Sequence, residues 1–362
     1  MRKMKRIIAL LMILTLLLCG CARTEAPKAE VTQPAPTVAE TTEEPTTEPT
    51  TEATEPPVYR NPLNGQIIDE PFTDRLFACT ISNMRENIPH VNLCKADVVF
   101  ETYVNMNNIV RCLALYSNIE DVEAIGSMRS TRPIFNQLAQ HYGLIVAHAG
   151  GSNTALRDAA ERNIENFNVE NWEKVTQFVT TSYRDKQYRR SYENSLFGIG
   201  AGIREYAEYA GYDTTLERGY GFNFTEDGVP ADGEDAESIT IHLNYKKAKK
   251  DTIMTYDAEL GKYAWSQYGK VMQDQISGET EAFTNVLILS ADITNEGLYH
   301  YANFEAGGTG YYANGGKLIP ITWNCNGERE PFLFYTEDGQ ELQIGVGNTY
   351  IAILPEDGSV EY

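Results

Sequence analysis

A-D-V-V-F-E-T at residues 96–102 is the first of four stretches that decide the fold of this chain and that include three apolar, strand-like runs. The others are I-V-R-C-L-A-L-Y at 109–116, I-G-S-M-R-S-T-R-P at 125–133 and I-V-A-H-A-G-G-S at 145–152. Each contains β-branched residues, which favour strands, and is punctuated by a charged or Gly-rich turn; the first two also contain an aromatic residue. If the runs form neighbouring strands, their polar residues converge. These residues are Asp97, Glu101, Arg111, Arg129, Arg132, His148 and Ser152.

Three helices are predicted beside these strands. The first begins near residue 130 or 131, with Pro133 in its first turn, where the missing N–H has no partner to lose, and ends near residue 141. The second is capped by Ser152 or Asn153 and ends near residue 163. An amphipathic helix closes the stretch 194–211. Because strands and helices are mixed here, we predict an α/β domain over residues 59–225.

The sequence pattern changes after the Gly- and Asp-rich segment 226–237, which we interpret as a linker. Residues 239–245 (I-T-I-H-L-N-Y) alternate strictly between apolar and polar, and later runs follow, separated by turns such as E-D-G-Q. Residues 238–362 are therefore predicted to form a β-rich, mostly antiparallel domain. The fold class predicted for the whole chain is α+β or α/β.

The N-terminal sequence predicts that the protein is exported from the cytoplasm. Residues 1–20 combine four basic residues with an apolar run at 7–18, which is short for a membrane span and typical of a signal peptide. The run ends L-C-G-C, which resembles a bacterial lipobox with Cys21 as the lipidated residue. An ordinary cleaved signal is the alternative. Residues 21–58, rich in Thr, Glu and Pro, predict a disordered tether on the extracytoplasmic face of the cell membrane.

The charge of the chain excludes several partners. Residues 1–58 hold six of the 30 Lys+Arg and eight of the 51 Asp+Glu, which leaves 24 against 43 and a net charge of −19 for 59–362. Such a surface argues against nucleic acid and against direct adhesion to anionic lipid. Of the six cysteines, four lie in the folded part: Cys79, Cys94, Cys112 and Cys325. The four cysteines could form two disulfide bridges. We favour mostly free, buried thiols, because Cys79 and Cys112 lie in apolar runs, where a small buried thiol fits well.

Several motifs resemble those of the YerB-like lipoproteins, domain-of-unknown-function family 3048. They are N-P-L-N-G at 61–65, A-D-V-V-F-E at 96–101, V-R-C-L-A-L-Y at 110–116, I-G-S-M-R-S-T-R-P at 125–133, H-A-G-G-S at 148–152, Y-E-N-S-L-F at 192–197, G-T-G-Y-Y-A-N-G-G-K at 308–317 and G-N-T-Y-I-A-I-L-P at 347–355. The resemblance implies an α/β N-terminal domain, a β-rich C-terminal domain and export as a lipoprotein. It implies no established activity. Asn194 stands where many members carry His.

The polar residues of the opening stretch predict a site for an anion. Arginine and the Gly-rich start of a helix both favour bound carboxylate or phosphate. The candidate ligand-binding residues are Arg111, Arg129, Ser130, Arg132, His148, Gly150, Gly151 and Ser152. The alternative is structural: Asp97 or Glu101 pairs with Arg111 or Arg129 as an internal ion pair.

The function we predict is binding of a small anionic or envelope-derived ligand, or of an envelope protein. A hydrolase or transferase on cell-wall-derived substrates, with His148, Asp97 and Ser152 as weak catalytic candidates, is the first alternative. A structural scaffold that presents an exposed β-edge is the second. We favour no enzymatic activity, no metal and no cofactor, since G-I-G-A-G at 198–202 is a weak match to a dinucleotide fingerprint.

Overall fold

The computed structural model describes residues 57–170, 179–187, 191–215, 219–244, 249–355 and 357–362. The predicted signal peptide, the lipidated Cys21 and all but the last two residues of the predicted tether lie outside these ranges. Among the described residues, the helices are too short or too polar to cross a membrane.

The described residues form three α-helices and many short strands. The helices are α1 (Pro133–Tyr142), α2 (Asn153–Glu161) and α3 (Gly200–Tyr209). Through residue 225 the strands are β1 (Tyr59–Arg60), β2 (Ile67–Ile68), β3 (Phe77–Ser82), β4 (Val98–Tyr103), β5 (Val110–Tyr116), β6 (Ile125–Gly126), β7 (Ile145–His148), β8 (Asn166–Asn168), β9 (Ser182–Arg184), β10 (Leu196–Gly198) and β11 (Asn223–Thr225).

The remaining strands follow at short intervals. They are β12 (Glu234–Asp235), β13 (Ser238–His242), β14 (Asp251–Asp257), β15 (Lys262–Gln267), β16 (Lys270–Val271), β17 (Ala282–Phe283), β18 (Asn285–Ser290), β19 (Ile293–Glu296), β20 (Tyr299–Ala302), β21 (Gly308–Asn314), β22 (Lys317–Asn324), β23 (Leu333–Thr336), β24 (Gln343–Gly345), β25 (Thr349–Leu354) and β26 (Ser359–Glu361). No helix is described after residue 225, apart from a single 3₁₀ turn at Phe304–Ala306.

An 11-stranded mixed sheet forms the centre of the fold. Its order is β12-β22-β21-β18-β25-β4-β5-β3-β7-β8, and β23 also pairs with β22. At its middle, β25 runs parallel to β4, with Ile351 opposite Phe100. Strands from the two predicted domains therefore pair directly in one sheet. The predicted domain boundaries themselves remain a prediction.

Each face of this sheet packs against a different layer. On one face a core including Val99, Cys112 and Ala114 meets the six-stranded antiparallel sheet β16-β15-β14-β13-β26, in which β17 also pairs with β15. On the other face a core including Phe100 and Leu113 meets α1. The alternation of side chains along β4 and β5 assigns successive residues to opposite layers.

The predicted fold class, α+β or α/β, is wrong: the protein is mostly β, with several sheets. The three predicted helices exist, but they do not alternate with the strands as in an α/β fold. Instead β5 lies between β4 and β3 and pairs antiparallel with each of them, and the segment after α2 forms the short strands β8, β9 and β10. The fold is mostly β because α1 and α2 cover only parts of one face of the 11-stranded sheet, while the six-stranded sheet covers its other face.

The glycines of the G-I-G-A-G run have a packing role. A Cβ atom on Gly200 would lie 1.8 Å from the carbonyl oxygen of Ile119, and one on Gly202 would lie 1.9 Å from that of Thr180. Both distances are far below van der Waals contact. These glycines therefore let α3 approach two backbone segments closely, and the run is explained without a dinucleotide.

Candidate functional site

Strand direction places the candidate residues at one edge of the large sheet. Strands β3, β7 and β8 are parallel, and so are β4, β25 and β18. Since β5 is antiparallel to both β3 and β4, all six strands end at the same edge, where β5 begins. Arg111 lies there, opposite Ser82 and Thr102, and His148 is the last residue of β7. Ligand sites in parallel sheets are commonly found at this carboxyl edge.

Two loops cross this edge and are hydrogen-bonded to each other. The amide of Ala149 donates to the carbonyl of Arg129 at 2.9 Å, and the amide of Thr131 donates to the carbonyl of Gly150 at 3.0 Å. The amide of Arg129 also donates to the carbonyl of Thr80 in β3 at 2.8 Å. The segments 129–132 and 149–152, separate in sequence, therefore form one fixed structure above the strand ends.

Arg111 is buried without a carboxylate partner among the described residues. Only 2 % of the residue is exposed, and its Nη1 donates to the carbonyl oxygen of Ser130. Within the described part of the chain, the Nε atom of Arg111 has no hydrogen-bond partner and the Arg111 side chain forms no ion pair. Burial lowers the pKa of Arg111 well below its ordinary value, and the charges of Arg132 and Arg129 lower it further. Since Ser130, which accepts from Arg111, lies between Arg129 and Arg132 in the chain, the three arginines lie together, and we call them the arginine cluster.

The other two members of the cluster have weak partners. Nη1 of Arg129 donates to the carbonyl of Glu193 at 2.8 Å and lies 3.3 Å from Asn194 Oδ1. Nη2 of Arg129 lies 3.5 Å from the carboxylate of Glu193, whose side chain is 77 % exposed. Nη1 of Arg132 donates to the carbonyl of Thr131 at 2.6 Å. Burial lowers the pKa of Arg132 as well.

Two helices begin at this edge. Helix α1 has Arg132 as its N-cap and Pro133 in its first turn, and α2 has Ser152 as its N-cap. Neither helix has an acidic residue in its first turn. The N-terminal end of a helix carries a partial positive charge, so both helices add to the positive potential of the arginine cluster.

The residues of the 148–152 turn stabilise the conformation of the turn. Nε2 of His148 lies 3.0 Å from Oδ1 of Asn166, and burial lowers the pKa of this histidine. Gly150 has a φ of +75°, and its amide donates to Asn168 Oδ1 at 3.0 Å. Gly151 forms an isolated bridge with the loop before α1. The hydroxyl of Ser152 accepts the amide of Ala155 at 3.0 Å, which caps α2.

Asp97 and Glu101 lie apart from the arginine cluster. Asp97 precedes β4, at the opposite edge of the sheet, where it accepts Asn64 Nδ2 at 2.6 Å and both the amide and the hydroxyl of Ser117 at 2.8 Å. Glu101 is fully buried and forms an ion pair with Lys250 at 2.6 Å. Neither carboxylate pairs with Arg111 or Arg129, so the structure has no ion pair of the kind that the alternative interpretation required.

Tyr299 is a member of the site that sequence analysis did not identify. It opens β20, and the guanidinium carbon of Arg132 lies 5.6 Å from the centre of its ring. The hairpin β19–β20 is held over the edge by a bridge between Asn105 and Tyr299 and by the amide of Met106, which donates to Leu298 at 2.9 Å. Nothing in the local sequence indicates this contact, since it joins residues more than 150 positions apart.

Comparison with known proteins identifies the family. The N-terminal domain of the family of proteins of unknown function DUF3048 matches residues 63–213, and its C-terminal domain matches residues 241–351. The chain belongs to this family, which confirms the resemblance noted from its motifs.

A solved structure with the same fold is that of the YerB protein from Bacillus subtilis. It superposes with a TM-score of 0.71 at 21 % sequence identity, over 84 % of this chain and 99 % of the YerB chain. At this identity the similarity shows the fold alone. No curated protein matches the sequence.

Proposed function

We propose that this protein is an extracytoplasmic binding protein that holds a small anionic ligand at the arginine cluster. The observation that carries the proposal is the burial of Arg111 without a carboxylate partner in the described residues. Moving a charged group out of water costs several kcal/mol unless another charge offsets it. A bound anion supplies that charge.

The surroundings of the cluster support a bound anion. The folded part carries a net charge of about −19, so a local excess of positive charge is unusual for this chain. Among the residues that the structure describes, the carboxylate that contacts the cluster is that of the exposed Glu193. The N-termini of α1 and α2 favour an anion at the same edge.

The weak catalytic candidates are not arranged for hydrolysis. His148 lies at the carboxyl edge of the sheet, whereas Asp97 lies at the opposite edge. The hydroxyl of Ser152 already accepts the amide of Ala155 as a helix cap. A nucleophile and its base need to lie within hydrogen-bond reach of each other. The geometry therefore favours binding, and we do not propose the hydrolase.

Thermal unfolding of the full chain in a non-ionic detergent tests the proposal. A panel of amino acids, dicarboxylates, sugar phosphates and muropeptides is added to the wild type, to the variant Arg129→Ala/Arg132→Ala and to the control Arg204→Ala. Arg204 is a matched control because 20 % of its side chain is exposed, against 24 % for Arg129, and it pairs with Asp74 and Glu208 away from the cluster.

A cognate ligand at 100 times its Kd is expected to stabilise the wild type and the control by about 2.7 kcal/mol. It is expected to leave the midpoint of the double variant unchanged. A ligand that raises the midpoint of all three proteins equally binds elsewhere and contradicts the proposal. So does a panel in which no ligand raises any midpoint.

Attachment to the membrane is the second part of the proposal. It is supported by the basic start of the chain, the apolar run at 7–18 and the L-C-G-C sequence that ends with Cys21. Replacement Cys21→Ser is expected to move the protein from the membrane fraction to the soluble fraction of expressing cells, or to leave it as an unprocessed precursor. The neighbouring Cys19→Ser is the control and is expected to stay in the membrane fraction at the size of the wild type. Equal behaviour of the two variants would contradict lipidation at Cys21.

A further inference from the structure

We infer that the ligand carries a dianionic phosphoryl group, such as that of a phosphate monoester, rather than a single carboxylate. This inference rests on the proposed function and names the class of ligand for the same site. It follows from the charge of the cluster, from its unpaired donors and from the contact between Arg132 and Tyr299.

The charge of the cluster matches two negative charges. Because the arginine side chain stays protonated in proteins, Arg111, Arg129 and Arg132 contribute three positive charges, and the carboxylate of Glu193 offsets one of them at 3.5 Å. In the described part of the chain, Arg111 and Arg132 have no ion pair. A single carboxylate would leave one buried positive charge uncompensated. A phosphoryl dianion compensates both.

The donors of the cluster outnumber the oxygens of one carboxylate. The Nε atoms of Arg111 and Arg132 are buried and have no hydrogen-bond partner among the described residues. Arg111 is directed towards the start of α1, since its Nη1 donates to Ser130, two residues before the N-cap. A guanidinium presents a planar fork of donors that suits phosphate, and a phosphoryl group offers three strong acceptor oxygens. Two forks and a helix N-terminus together are better satisfied by three oxygens than by two.

Tyr299 acts as a positioning residue for Arg132. The guanidinium carbon lies 5.6 Å from the centre of the tyrosine ring, within the distance of a cation–π contact. The hairpin that carries Tyr299 is fixed by the bridge to Asn105. The ring therefore holds the guanidinium of Arg132 in one orientation. Replacement Tyr299→Phe keeps this contact, whereas Tyr299→Leu removes it.

Isothermal titration of the full chain in a non-ionic detergent, between pH 5.5 and 8, tests the inference. The probes are inorganic phosphate, sulfate and acetate. Sulfate is doubly charged over the whole pH range, so the ratio of phosphate affinity to sulfate affinity isolates the ionisation of the ligand from that of protein groups such as His148. Two further probes, glucose 1-phosphate and phosphatidic acid in the same micelles, distinguish a soluble phosphate ester from a phospholipid headgroup, and binding of either supports a phosphoryl ligand.

The inference predicts that phosphate binds at least tenfold more tightly than acetate at pH 8. The affinity ratio of phosphate to sulfate is expected to fall as the pH drops below the second pKa of inorganic phosphate, at about 7. Binding is expected to disappear in Arg132→Ala, to weaken at least tenfold in Arg132→Lys, which keeps the charge without the fork, and to persist in Arg204→Ala. Tyr299→Phe is expected to bind within threefold of the wild type, and Tyr299→Leu more weakly than Tyr299→Phe.

Two other outcomes separate the inference from the proposed function. If acetate or an amino acid binds as tightly as phosphate and depends on Arg132, the anion site stands and the phosphoryl group is refuted. If no anion binds the wild type, or if binding survives in both Arg132→Ala and Arg129→Ala/Arg132→Ala, both proposals are refuted. Circular dichroism of each variant verifies that a loss of binding does not come from a loss of fold.

Discussion

The buried ion pair between Glu101 and Lys250 allows a quantitative prediction. The carboxylate of Glu101 is fully buried and accepts hydrogen bonds from Lys250 Nζ at 2.6 Å, from the Thr252 hydroxyl at 2.9 Å, and from Asn83 and Tyr350. Lys250 supplies the only positive charge among these donors. Replacement Lys250→Met keeps a chain of similar length and leaves a buried carboxylate without its counter-charge. Breaking a buried pair from one side costs about 3–5 kcal/mol, and we expect the free energy of unfolding to fall by that amount.

Urea unfolding at pH 7 measures this effect. Fluorescence of the buried Trp265 and Trp323 and far-UV circular dichroism are followed together, because coincident transitions justify a single free energy of unfolding. Lys317→Met is the control: it removes a lysine that is 38 % exposed and paired with an exposed aspartate, and we expect no measurable change. The variant Glu101→Gln/Lys250→Met should recover at least about 1 kcal/mol, since no charge is then left buried. A loss below about 1 kcal/mol in Lys250→Met would refute the reasoning.

Three further predictions concern His148, Gly200 and the cysteines of the folded part. Because burial lowers the pKa of His148 below its ordinary 6.5, the unfolded chain binds more protons at this position than the folded protein. The free energy of unfolding should therefore decline as the pH falls below about 6.5. Urea titrations at a series of pH values should show a less steep decline in His148→Gln than in the wild type. Gly200→Ala should lower the free energy of unfolding by about 1–3 kcal/mol or more, because its Cβ would overlap the carbonyl oxygen of Ile119, whereas Gly219→Ala, with no described atom within 4 Å, should be neutral. The three buried cysteines should react with a thiol reagent only after unfolding, and the half-buried Cys94 should react slowly in the native protein, so that a bridge between any two of the four would contradict the structure.

Local patterns predicted the positions of individual elements well. The alternating run at 110–116 forms β5 with the same bounds, and the helix predicted from residue 130 or 131 to about residue 141 is α1 (Pro133–Tyr142). The predicted cap of α2 by Ser152 or Asn153 is Ser152. The expected free thiols are also found, since Cys79, Cys112 and Cys325 are buried and unpaired. Each of these features depends on residues within a few positions of one another, so its pattern is visible in the sequence.

The fold class depends on pairing between strands that are distant in the chain, and the sequence patterns did not reveal this pairing. Strand β25 lies beside β4, although about 250 residues separate them along the chain. Hydrophobic periodicity indicates that a run is a strand, but it does not indicate which strand will be its neighbour. The expectation of an α/β domain arose because three helices were found among the strands, while the second sheet that covers one face was assigned to a separate domain.

The strand register explains why Arg111 has no carboxylate partner among the described residues. In the pairing of β4 with β5, Glu101 lies opposite Cys112, and Thr102 lies opposite Arg111. Because neighbouring residues of a strand point to opposite faces, Glu101 points towards the six-stranded sheet, where Lys250 neutralises it, while Arg111 points to the face covered by α1. The nearest buried carboxylate in the pair of strands is thus separated from Arg111 by the sheet itself. A shift of one residue in the register would have placed Glu101 and Arg111 on the same face as an internal ion pair. The sequence alone does not fix that register, so both interpretations of the arginines, as members of an internal ion pair and as ligand-binding residues, stayed open. The observed register supports the counter-ion from outside the chain that we propose.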